Sequence, residues 1–318
     1  MFVVIGTTTA DLFISGVERM PRFDGDEFTT SSLSFCRQPL TIALGGNGAN
    51  SAYVLRTLGA PVRLCSGTGT NEIGTLMTGW LAARGVDLSA FLRREDGTAS
   101  TTTVIDDRLN RLSFYYPGLF STYSAADLPP SWLDGAHTLL ITGYPLLPGF
   151  HGGGFAAILQ TARARGVITA LDIGPAVDHS ATLPALTPLL PLVDILLTNE
   201  YELTVATGDH DAEVGARRLI AAGAASVVVK RGQAGACLYS PDSIIQVEGF
   251  PVQASVTIGA GDSFNAAFLY GRHAGMSPAE AAAFANAAAA LVVQGGRSVL
   301  GAPDVAAVEA FLRQRRGV

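Results

Sequence analysis

The stretch Thr257-Ile258-Gly259-Ala260-Gly261-Asp262-Ser263-Phe264-Asn265 decides the reading of this chain. Small residues run directly into a helix that the pattern opens at about Ala260. The first N–H groups of a helix have no internal acceptor and carry the positive end of its dipole. Glycines let an anion approach those groups closely. Asp262, in the first turn, would repel such an anion, which makes it an odd stability device. It makes sense as a base that takes a proton from an attacking hydroxyl. It could equally be a plain helix-terminal charge, with the glycines serving tight packing, and spacing alone leaves both readings open.

Upstream of that stretch, short β-branched runs alternate with alanine-rich helical segments. The strands are expected at Val3–Ile5, Val62–Leu64, Thr138–Thr142, Val167–Asp172, Val193–Thr198 and Ser226–Lys230. The helices Asn50–Leu58, Ile73–Ala83, Phe155–Arg165 and Asp211–Ala222 each end at a glycine. Strand, helix, glycine, strand is the pattern of a mostly parallel sheet covered on both faces. The C-terminal third reads as helix over Ala260–Ala274, Pro278–Val293 and Pro303–Arg315. Two stretches, at about 11–42 and 98–116, break the rhythm with strand-like alternation. They read as antiparallel insertions forming a small β lid over the carboxyl ends of the main strands, within a single domain spanning 1–318.

Composition narrows the classes. The 318 residues are 48% hydrophobic and only 15% charged, against about 25% charged in an average globular protein; a disordered chain is excluded. The net charge of −6 argues against general nucleic-acid binding, because an acidic surface repels phosphate backbones. The 36 glycines cluster in loops without a repeat. Cys36, Cys65 and Cys237 are too sparse for a disulfide framework and read as small buried apolar residues. Phe2–Ile5 is too short an apolar run for a secretory leader, and Ala281–Val293 is too short for a membrane span. A cytoplasmic protein without a membrane partner is expected.

The segment Gly259–Asp262 resembles the C-terminal signature of the ribokinase family, the PfkB carbohydrate kinases, Asp-Thr-x-Gly-Ala-Gly-Asp. That resemblance implies a ribokinase-like three-layer α/β/α fold. It further implies that the Gly259, Ala260 and Gly261 amides form an anion hole for the transferred phosphoryl group, with Asp262 as base. Gly45-Gly46-Asn47-Gly48-Ala49-Asn50 resembles the N-terminal signature, Gly-Gly-x-x-x-Asn before a helix. By that likeness Gly46, Asn47 and Asn50 bind the acceptor, as does Asp11 after the first strand. Asn offers both a donor and an acceptor, which suits a sugar hydroxyl.

Asn199 and Glu202 match the family's Asn-x-x-Glu motif, which helps hold Mg²⁺ and its waters; without the likeness they read as a helix-capping pair. Gly232, in the loop after Val227–Lys230, and Asn286 match nucleotide-side positions. Asn286 would otherwise read as a satisfied buried amide. Lys230 is the only lysine. The other basic residues are all arginines, so composition explains it better than a phosphate-binding role. Where the family usually carries the Asp that opens its C-terminal signature, this chain has Val256. That Asp belongs to a loop organising K⁺, so weak or absent K⁺ activation is expected.

The resemblance implies an ATP- and Mg²⁺-dependent kinase acting on a small sugar. Phe13, Phe35, Phe114 and Tyr115, in or near the lid strands, keep a nucleoside acceptor open; they are also candidates to pack the lid or a lid–lid homodimer. A non-catalytic sugar- or nucleotide-binding module is the remaining alternative, although a pure binder gains nothing from Asp262. Other motifs fail on spacing. Gly67-Thr68-Gly69 lacks the third glycine of a dinucleotide fingerprint, and the five histidines are scattered without zinc spacing.

Overall fold

The computed structural model describes residues 1–23, 25–95, 97–106, 111–175, 177, 181–253 and 258–316. Val256 and Thr257, and with them the expectation about K⁺, lie outside the described residues. The described strands are β1 (Phe2–Ile5), β2 (Thr9–Val17), β3 (Thr41–Gly45), β4 (Val62–Gly69), β5 (Phe91–Arg94), β6 (Ser100–Asp106), β7 (Arg111–Tyr116), β8 (Thr138–Ile141), β9 (Ile168–Asp172), β10 (Ile195–Asn199), β11 (Val227–Lys230), β12 (Ala236–Tyr239) and β13 (Ile244–Val247). The helices are α1 (Asn47–Thr57), α2 (Glu72–Arg84), α3 (Gly154–Ala164), α4 (Leu183–Leu186), α5 (Glu200–Thr207), α6 (Ala212–Ala221), α7 (Ala260–His273), α8 (Pro278–Gly295) and α9 (Val305–Arg316).

Among the described residues, nine strands form one sheet in the order β13-β12-β11-β10-β9-β8-β1-β4-β5. Every pair from β11 to β5 is parallel; β12 and β13 add an antiparallel edge. In β1, Phe2 and Val4 face one core layer while Val3 and Ile5 face the other, the alternation expected of a strand buried on both sides. One layer is built on α1, α2, α7, α8 and α9, the other on α3, α5 and α6. Helix ends follow the sequence: Asn71 caps α2 and Gly85 closes it in the left-handed conformation. Ser277 and Glu280 form a capping box on α8 with Pro278 in its first turn. The Ala281–Val293 run lies within α8 and contains its buried residues. No helix among the described residues is long and apolar enough to cross a membrane.

A separate four-stranded sheet has the order β3-β2-β6-β7. It falls at the two stretches that break the strand–helix rhythm, with two corrections. β2 and β6 pair in parallel, not antiparallel. Residues 18–40 hold no regular strand among those described, only a bridge between Val17 and Cys36. Cys36 is also exposed, unlike Cys65 and Cys237. The short edge strand β5, with two arginines in four residues, was not expected from the sequence. Gly67 and Gly69 lie inside β4 rather than in a ligand-binding turn.

Candidate active site

The parallel strands β9, β10 and β11 end in one row. Asn199 pairs with Lys230 in register, and Asp172 lies beside Leu197. The N-terminus of α7 points into this edge. Gly259 is its N-cap at φ 80°, and no side chain among the described residues caps the helix. A Cβ on Gly259 would sit 2.8 Å from Val299 Cγ1, so glycine is required for conformation and for space. The amides that follow, at Ala260, Gly261 and Asp262, have no acceptor within the helix.

Asp262 is 8% exposed. Its Oδ1 accepts from Asn47 Nδ2 at 3.0 Å and its Oδ2 from Asn50 Nδ2 at 2.8 Å. Burial pushes its pKa up to about 6; the Asn50 hydrogen bond opposes that rise and the nearby Asp172 adds to it. Both asparagines come from α1, whose entry is set by Gly46 at φ 85°. A Cβ there would meet the Thr7 carbonyl oxygen at 2.5 Å. The two amides assigned to acceptor hydroxyls thus bind the Asp262 carboxylate. Asn50, 3% exposed, gives one of its two amide N–H groups to it.

Asp11 lies in the small sheet, 8% exposed, and accepts from Thr9 Oγ1 at 3.1 Å. Burial pushes its pKa up to about 7, with Asp262 adding to the rise. Gly45 is packed so tightly that a Cβ would run into the Asp11 carboxyl. Across the sheet Asp11 is in register with Thr101, and Thr101 with Tyr115. Successive residues of a strand alternate faces, so Tyr115 and Phe13 share the Asp11 face. Phe114, 60% exposed, is on the other.

Asn199 and Glu202 form a reciprocal capping box on α5: Asn199 Oδ1 accepts from Glu202 N–H at 2.8 Å, and Glu202 Oε2 from Asn199 N–H at 2.9 Å. The capping reading therefore holds, and it brings Glu202 close to Lys230, Asp172 and Asp262. Burial raises its pKa to about 7, against the pull of Lys230. Gly232 and Asn286 line a cavity of about 240 Å³ together with Lys230, Ala260, Gly261 and Phe264. Asn286 Nδ2 donates to the Glu248 carbonyl at 3.1 Å.

Two residues enter the site without having been expected there. Asp172 is buried at the end of β9, where its Oδ2 accepts from Thr142 Oγ1 at 3.0 Å and its Oδ1 from Lys230 Nζ at 2.9 Å. Lys230, set aside on composition, is mostly buried. Burial pulls its pKa down, but Asp172 and Glu202 outweigh that and hold it above the usual lysine value. An apolar strand that ends in a carboxylate, Val167–Asp172, was the available signal for the first. No group of three His, Cys, Asp or Glu among the described residues could itself cage a metal ion.

A parallel sheet with helices on both faces, a small second sheet and a helix N-terminus aimed at the carboxyl strand ends define a ribokinase-like α/β/α protein. The chain belongs to the pfkB family of carbohydrate kinases, whose model matches residues 24–304. An ATP-dependent ribose-1-phosphate kinase of Halopiger xanaduensis is 30% identical over 309 residues, covering 94% of each chain. A nucleoside kinase of Methanothermobacter thermautotrophicus is 28% identical over 293 residues, 91% of each chain. The structure of Arabidopsis thaliana ribokinase complexed with ribose and ATP has a TM-score of 0.82 at 25% identity, covering 98% of each chain. The chain is thus a sugar or nucleoside kinase of this family.

Proposed function

We propose that this protein transfers the terminal phosphoryl group of ATP to a hydroxyl of a small sugar, with Asp262 as base. The observation that carries the proposal is the Asp262 carboxylate, buried, fixed by two amides and carried on the first turn of α7, which no described side chain caps. At a pKa of about 6, Asp262 is mostly ionised at pH 7 yet basic enough to take the hydroxyl proton. The Gly259, Ala260 and Gly261 amides stabilise charge on the transferred group without reorganising. The base need not be strong when the transition state is loose, because the proton leaves late.

The cavity lined by Gly232, Asn286 and Gly261 takes the nucleotide, and the Asp11 face of the small sheet takes the acceptor and excludes water as a lid. Mg²⁺ fits the donor set: Glu202 keeps Oε1 outside its capping box, and Mg²⁺ commonly retains several waters with one or two carboxylates. Glu202 would hold it, and it would supply neutralisation of phosphate charge. With no side-chain oxygen at Val256, weak or absent K⁺ activation is expected; strong activation in a K⁺ titration would refute it. The exposed Leu112 and Phe114 of the small sheet support a homodimer formed lid to lid.

A second reading, a nucleoside acceptor, is favoured by Tyr115, which shares the Asp11 face and can stack on a base. ADP release from Mg-ATP is to be measured over pentoses, hexoses, sugar acids, sugar phosphates and nucleosides. One strong sugar acceptor is the expected result, and a nucleoside would establish the second reading. No turnover, with ligands still raising the melting temperature, would leave a binding module.

A further inference from the structure

We propose that Lys230 is a catalytic residue whose ammonium, braced by Asp172 and Asn265, contacts the phosphate oxygens of the transferred group. The inference rests on the ATP-dependent reading above. Every other member of the 21 Lys and Arg residues is arginine. Described arginine ion pairs either tie elements together away from the strand-end cluster, as Arg63 does with Asp87 and Arg163 with Asp194, or lie within one helix, as Arg217 does with Glu213. A lone lysine in such a chain occupies a place where a planar guanidinium does not substitute for a compact point charge.

Its surroundings show what that charge meets. Nζ donates to Asp172 Oδ1 at 2.9 Å and to Asn265 Oδ1 at 3.1 Å. An ammonium has three N–H groups, so one remains without a partner among the described residues. Lys230 lines the 240 Å³ cavity with Ala260 and Gly261. A Cβ built on Gly261 would be 3.7 Å from Nζ, which puts the ammonium beside the uncapped amides of α7. Cation and amides therefore converge on one place.

Charge balance points the same way. Asp172, Glu202 and Asp262 all act on this one ammonium. A polyanion entering among these carboxylates meets Lys230 as the only protein cation beside them among the described residues. A buried ion pair is a weak means of stabilising a fold, since its desolvation offsets the attraction. Asn265 also turns its oxygen to Lys230 and leaves its buried Nδ2 without a partner among the described residues. Both costs suit a positioned ammonium better than a structural one.

The competing account is that Lys230 only balances Asp172. Lys230→Met, Asp172→Asn and the double variant separate the two, because the double variant removes both charges and so avoids a buried unpaired carboxylate. The primary readout is the rise in melting temperature that Mg²⁺ with a non-hydrolysable imido analogue of ATP produces beyond that of Mg-ADP. The extra rise is expected in the wild type and in Asp172→Asn, and is expected to be lost in Lys230→Met and in the double variant. Turnover of Lys230→Met should fall by about 10²–10³-fold, the range for losing one donor at a developing charge. An extra rise that survives in the double variant would overturn the proposal. A wild type that responds to neither nucleotide would instead overturn the ATP-dependent reading itself, and the proposal with it.

Discussion

Replacing Asn50 by Ala should move the acid limb of the kcat–pH profile upward. In the native protein Asn50 Nδ2 donates to Asp262 Oδ2 at 2.8 Å in a site where Asn50 is 3% exposed. A hydrogen bond to a charged group contributes about 1.5–3 kcal/mol. This one favours the ionised carboxylate, so removing it raises the Asp262 pKa. At 1.36 kcal/mol per unit, the full loss corresponds to a rise of about one to two pH units. The starting value is about 6, at which about nine-tenths of the base is ionised at pH 7. At about 7.5 only about a quarter would be. Turnover at pH 7 should therefore fall about three- to fourfold and recover toward pH 9, with the acceptor KM little changed. The stability cost is softened because Asn50 Oδ1 is already buried without a partner among the described residues. The assay is kcat at saturating acceptor and ATP across pH 5.5–9. An unmoved acid limb with a strongly raised acceptor KM would refute this reasoning and restore Asn50 as an acceptor ligand.

Other perturbations follow from the same geometry. Asp262 has a native pKa of about 6 against 3.8 for the ordinary group, so between those values the folded state holds more protons than the unfolded one. Its contribution is fully present below about 4 and is lost as pH rises through 6. Asp262→Asn should therefore raise the melting temperature relative to wild type at pH 8, and this advantage should vanish near pH 4; thermal melts across that range check it. Gly45→Ala drives a methyl into the Asp11 carboxyl, so the acceptor KM should rise by about tenfold or more, as expected for losing about 1.4 kcal/mol or more of binding. The ATP KM should stay near wild type, and steady-state kinetics in both substrates decide the point.

What was legible in the sequence was local. Gly259–Asp262 and Gly45–Asn50 are consecutive residues whose backbone requirements are written in their own glycines. The alternation of β-branched and alanine-rich segments was equally plain, because each strand and helix declares its period within a dozen residues. What escaped depends on distant pairing. Asp172 and Lys230 end separate strands and meet only because β9, β10 and β11 run in parallel register. Asn47 and Asn50 reach Asp262 only through the packing of α1 on α7. The parallel pairing of β2 with β6 joins segments some ninety residues apart, whereas neighbouring extended runs suggest hairpins. Residues 18–40 alternate like strands, yet Pro21, Gly25 and Pro39 interrupt backbone pairing there. Glu202 carried two signals at once, a cap and a site residue, and the structure places it as both a helix cap and a neighbour of the central carboxylates.

The central claim is that Asp262 is the base of an ATP-dependent phosphoryl transfer. It is tested most directly by the turnover of Asp262→Asn with the best acceptor found for the wild type, in Mg-ATP, alongside its melting curve. The account predicts a folded protein whose kcat is lower by about 10² or more, the loss expected for a general base. A folded Asp262→Asn variant with near-normal kcat would contradict it.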